Sequence, residues 1–85
     1  MANKSLNDPR YQALIRRLVE RRHELGLTQS KLATKMGRRQ QYVGKYEVLD
    51  RGLDIIEYLD VAHALDLDGA AEARRLWSPI NPMKS

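Results

Sequence analysis

Apolar residues recur at helical spacing along nearly the whole chain, and the pattern predicts an all-α domain. Tyr11, Leu14, Ile15, Leu18 and Leu25 form one stripe, while Arg16, Arg17, Glu20, Arg21 and Glu24 fill the rest of the same helix. Asp8-Pro9 marks its start, a capping side chain before a proline whose missing N–H is not needed in the first turn, and Gly26 ends it in a left-handed cap. Thr28 caps a second helix through Lys35 or Met36, with Leu32, Ala33 and Met36 inward and Gly37 closing it. A third helix spans about Arg39 to Tyr46, with Val43 and Tyr46 inward, before a loop from Val48 to Leu53. Asp54 and Glu57 have capping-box spacing and open a fourth helix, which carries Ile55, Ile56, Leu59, Ala62 and Leu65 inward. Asp68 caps a short fifth helix through Trp77. The expected domain is residues 1–77, followed by a flexible, proline-containing tail over 78–85.

At 85 residues the chain makes one small domain and excludes a large enzyme with separate substrate and cofactor domains. With 42% hydrophobic and 31% charged residues the composition is that of a water-soluble globule. The longest apolar run is Ala13-Leu14-Ile15, too short for a membrane span or signal peptide, so the expected location is cytoplasmic. The lack of cysteine removes disulfides, thiolate metal sites and thiol nucleophiles. Charge changes the picture more. Through Tyr46 eleven basic residues face three acids, and from Glu47 onward four basic residues face eight acids. The first part either meets a polyanion or is simply an unevenly charged, solvated surface.

The segment from Leu27 to Glu47, LTQSKLATKMGRRQQYVGKYE, has helix-turn-helix spacing. Ala33 lets two backbones approach, Gly37 tolerates the turn, and Val43 anchors the second helix on the first. An αα-hairpin in an ordinary bundle uses the same residues, so the outer face of the third helix has to separate the two readings. It begins Arg39-Gln40-Gln41: glutamine can pair with adenine N6 and N7, and arginine with guanine O6 and N7. Lys45, one turn on, reaches a base or a phosphate. Thr28 and Gln29 stand at the start of the second helix, where free N–H groups seat a phosphate. Arg38 and Arg51 flank the groove-facing helix, and Tyr42 either stacks on a sugar or a thymine methyl or is half-buried structure. Gly44 sits mid-helix, either to permit a close approach or by simple tolerance. Arg10, Arg16, Arg17 and Lys31 have the weaker reading of a solvated basic face.

The pieces RRHELGLTQSKLA, MG, QQYVGKYE and RGLDIIEYLDVAHALDLD together resemble the Cro/C1-type (Xre family) helix-turn-helix domain over about Leu14 to Leu67. The resemblance implies a compact five-helix, lambda-repressor-like domain that binds operator DNA, usually as a two-fold dimer, with Arg39 to Tyr46 in the major groove. By position, Gln40, Gln41 and Lys45 match base-reading sites, and Gln29 matches a phosphate-binding glutamine that also braces Gln40. Arg22 and Glu47 match a structural ion pair tethering the groove-facing helix. Arg38, Gly44 and the loop VLDRG depart from the family's usual residues.

No cluster of nucleophile, base and stabilising donors appears, so the chain is not expected to be an enzyme or to carry a cofactor or metal, and His23 and His63 are isolated on different helices. The expected partner is double-stranded DNA, not a membrane. The competing reading is an antitoxin or adaptor that uses the same fold mainly to hold a protein partner. Ala70, Ala73, Leu76 and Trp77 form a small apolar patch assigned to a homodimer, which would set two groove-facing helices ~34 Å apart.

Overall fold

The computed structural model describes residues 4–77. After a 3₁₀ turn at Lys4–Asn7 come five helices: α1 (Pro9–Glu24), α2 (Gln29–Met36), α3 (Gln40–Glu47), α4 (Ile55–Ala64) and α5 (Gly69–Trp77). Every start except that of α3, which has no side-chain cap, has a local cause. The Asp8 carboxylate accepts from the Arg10 N–H, the Thr28 hydroxyl from Lys31 and the Asp68 carboxylate from Ala71. At α4 the box is complete, since Asp54 accepts from the Glu57 N–H at 2.7 Å and Glu57 from the Asp54 N–H at 3.0 Å. The helix ends are equally local. Gly26 and Gly37 take positive φ after α1 and α2, and Leu49 and Asp66 do so after α3 and α4. The proline-containing segment 78–85, expected to be a tail, lies outside the described residues.

Ile15, Leu18, Leu32, Ala33, Val43, Tyr46, Tyr58, Val61, Ala62, Ala64 and Leu65 make the core, to which each of the first four helices contributes at least two residues. The inward face of α4 needs correcting. Ile55, Ile56 and Leu59, expected inside, are 65%, 63% and 42% exposed, and the buried stripe is Tyr58, Val61, Ala62 and Leu65. Helix α4 packs against both α2 and α5, and those contacts select the buried stripe. A Cβ at Gly69 would come within 3.1–3.2 Å of Leu59, Ala62 and Tyr58, a tight fit in which a neighbour has to shift. The Tyr58 hydroxyl then donates to the Gly69 carbonyl at 2.8 Å, which satisfies the polar end of a buried aromatic ring.

The apolar patch expected on α5 is not one surface either. Ala73 is half-buried beside Tyr11, Leu14 and Ile15, and Leu76 is half-buried beside Ala13, Leu14 and Arg17, so both face α1. Arg17 reaches Glu72 across the same seam at 3.5 Å. Ala70 alone is exposed, and the Trp77 side chain lies outside the described residues.

Candidate nucleic-acid interface

Helices α2 and α3 meet through Leu32, Ala33 and Val43, all nearly inaccessible to solvent. Gly37, at φ 72°, reverses the chain between them, and its N–H and that of Arg38 satisfy the Thr34 and Ala33 carbonyls. The buried side of α3 is thus spoken for by Val43 and Tyr46. Gln40, Gln41 and Lys45 are left exposed on the other side, with Arg39 exposed at the N-cap.

A chain of polar contacts ties this exposed face to the interior. The Arg22 guanidinium grips Glu47 with two parallel bonds, Nε to Oε2 at 2.7 Å and Nη2 to Oε1 at 2.9 Å, and its Nη1 donates to the Leu27 carbonyl at 2.9 Å. The side chains are 9% and 6% exposed, so the pair sits inside the fold, and the carboxylate holds the guanidinium pKa above its usual range. Glu47 Oε1 also accepts from Gln29 Nε2 at 2.9 Å, and Gln29 Oε1 accepts from Gln40 Nε2 at 3.4 Å. Ser30 lies 3.5 Å from the Gln40 amide oxygen. A buried charge pair therefore orients Gln29, and Gln29 orients Gln40. Gly44 faces this relay, where a Cβ would stand 3.5 Å from Gln29 Oε1 in ordinary contact.

The cations divide into two groups. On α1 and in the loop they are occupied: Arg10 by Asp8, Arg17 by Glu24 and Glu72, Arg21 by Glu24 and the Leu65 carbonyl, Arg51 by Glu57. Asp8 is correspondingly held down to about 2 by its bonds from Arg10. Around the motif, Lys31, Lys35, Arg38, Arg39 and Lys45 are exposed, and among the described residues none has a carboxylate within 4.0 Å. Arg16 is exposed on α1 as well.

Tyr42 is half-buried, with its hydroxyl enclosed, and desolvation, with Glu57 adding to it, pushes its pKa up. The ring meets Tyr46 edge-on at 5.9 Å and carries the Arg38 and Arg51 guanidiniums at 4.2 and 4.9 Å from its centroid. Spacing along the chain gave no sign of this stack, because Arg51 arrives from the loop after α3. Thr28 uses its hydroxyl oxygen as a cap yet stays exposed at the start of α2, beside the half-buried Gln29.

No helix among the described residues is long and apolar enough to cross a membrane. A helix-turn-helix family model, HTH_3, matches residues 18–70. No curated protein matches the chain. Among solved structures, an XRE-family like protein from Pseudomonas syringae pv. tomato str. DC3000 superposes with a TM-score of 0.82 at 38% identity, covering 91% of this chain and 94% of that one. The all-α fold, the helix pair with its exposed polar outer helix, and these matches lead to one conclusion: the chain belongs to the Xre (Cro/C1-type) family of helix-turn-helix DNA-binding regulators.

Proposed function

We propose that the protein is a sequence-specific regulator of transcription, not an enzyme, that binds a palindromic operator in double-stranded DNA as a homodimer and represses from it. The observation that carries this reading is the contrast in charge pairing. Among the described residues, five cations around α2 and α3 stand exposed without carboxylate partners, while those on the rest of the surface are mostly paired. Unpaired cations around a braced Gln40 and a free Gln41 suit a phosphate-lined groove with base edges at its floor. Gln40, Gln41, Lys45 and Arg39 read bases in this proposal, and Thr28, Gln29, Arg38 and Arg51 approach the backbone.

The homodimer is assigned to α4. Ile55, Ile56 and Leu59, at 65%, 63% and 42% exposure, supply the apolar side chains for this assignment. A stable interface needs about 800 Å² per partner. The free chain is therefore expected to associate weakly, with two half-sites completing the assembly on DNA.

The test is a selection of random duplexes followed by binding titrations over a range of salt. About 0.9 per neutralised phosphate gives a log–log slope of about −4 to −5 per copy. Gln41→Ala should lower affinity for the selected duplex, at ~1–3 kcal/mol per lost base pairing, while leaving random duplex binding unchanged. Equal loss on both duplexes refutes direct readout. An adaptor or antitoxin holding only a protein partner would give neither salt slope nor sequence preference.

A further inference from the structure

Residues from α3, α4, the turn before α3 and the loop after it form one connected cluster. Glu57 accepts from the Asp54 N–H with one carboxylate oxygen and binds Arg51 at 3.0 Å with the other. Arg51 lies over the Tyr42 ring at 4.9 Å, and Arg38, from the turn between α2 and α3, lies over the same ring at 4.2 Å. Tyr42 itself is fixed from behind by Tyr46, which is fully buried. Two guanidiniums thus share one ring, and the carboxylate binds one of them. Arg51 is the member held by Glu57, whereas Arg38 is exposed and carries the surplus charge.

A lone arginine in a turn is a mobile cation, and immobilising it on binding opposes association. An aromatic face beneath the guanidinium sets its plane in advance and leaves its edge N–H groups directed outward. A planar guanidinium so held is suited to bidentate contact with a phosphate.

Resting on the DNA-binding reading above, we propose that Tyr42 is a positioning residue: without touching DNA, its ring aligns Arg38, with Arg51 alongside, to grip one backbone phosphate. The contact carries no base information. It should therefore raise affinity for all duplexes alike and appear in the salt dependence.

The experiment measures duplex binding against salt for the full chain and for Arg38→Gln, Tyr42→Phe, Tyr42→Leu and Arg38→Gln/Tyr42→Leu, with far-UV circular dichroism to confirm folding. Arg38→Gln should weaken binding about 3- to 10-fold on selected and random duplexes and lower the slope by about 1. Tyr42→Leu should do the same with both arginines present, and the double variant should be no weaker than Arg38→Gln alone. Tyr42→Phe should bind within twofold of the unaltered chain, because the buried hydroxyl takes no part. An unchanged slope in folded Tyr42→Leu overturns the proposal. So does an unchanged slope in Arg38→Gln, a surface change that keeps the test decisive if Tyr42→Leu does not fold. If the unaltered chain itself binds duplex DNA without salt dependence, the DNA reading falls and this inference with it. A steep slope that ignores Tyr42 removes the inference alone.

Discussion

Truncating Glu47 to alanine separates a structural charge from a functional one. In the native fold the carboxylate accepts both parallel bonds from Arg22 and a third from Gln29. Without it, a guanidinium whose side chain is 9% exposed keeps only the Leu27 carbonyl. Removing one partner of a buried pair costs about 3–5 kcal/mol, most of it the penalty of the stranded charge. A chain of 85 residues has a total stability of about 4–13 kcal/mol at ~0.05–0.15 per residue. The loss is therefore a large share of the whole, and at ~4–8 °C per kcal/mol it lowers Tm by at least about 12 °C. Urea unfolding followed at 222 nm measures it, with the slope m checked for constancy. Arg22→Met/Glu47→Leu, which removes both charges and keeps the volume apolar, should return most of the stability. It should not return sequence preference, because Gln29 and through it Gln40 have lost their anchor. A loss below about 1 kcal/mol in Glu47→Ala would mean that the pair is effectively solvated. A double variant as unstable as the single would place the cost in packing, and either result refutes the reasoning.

Two glycines in helices should respond oppositely to alanine. Gly44→Ala should stabilise by about 0.5–1 kcal/mol in the same urea assay, since its Cβ meets only Gln29 Oε1 at 3.5 Å, and a loss would reveal a tighter site. Gly69→Ala should destabilise by about 1 kcal/mol, because Ala62 and Tyr58, which must yield, are both buried. Acid should also weaken the fold. Asp8 is lowered to about 2 by the Arg10 bonds, and Glu57 is lowered by the Asp54 N–H and then by Arg51. Depressed carboxylate pKa values add stability that is complete above about pH 4.5 and is lost as pH falls through the folded values. Melting temperature should thus decline from pH 4.5 toward 2, less steeply in Asp8→Asn, and a flat profile would contradict both assignments.

The helices were legible because their boundaries are local. Asp8-Pro9, Thr28, Gly37 and the Asp54–Glu57 box each act within a few residues, and all four operate in the fold. The inward face of α4 was not. Two overlapping stripes, one through Ile55 and Leu59 and one through Tyr58 and Val61, both run on into the Ala62–Leu65 turn, and periodicity alone cannot choose between them. The choice is made by packing against α2 and α5, contacts that the spacing of α4 does not contain. On α5, the half-burial of Ala73 and Leu76 beside α1 is likewise a contact that the spacing of α5 does not contain. At the interface, the exposed residues of α3 follow from the buried ones, but the partition of cations into paired and unpaired, and the stacking on Tyr42, need the loop after α3 folded back.

The relay from Glu47 through Gln29 to Gln40 bears on how such a protein could acquire a new target. Among the described residues the Gln41 and Lys45 side chains make no hydrogen bond or ion pair, so drift or a designer can exchange them at little cost to the fold. Gln40 is coupled through one amide to the charge pair that holds its own helix in place. Retargeting should accordingly proceed by altering the uncoupled letters first, and a wholesale graft that overwrites Gln40 would need a matching replacement for Gln29.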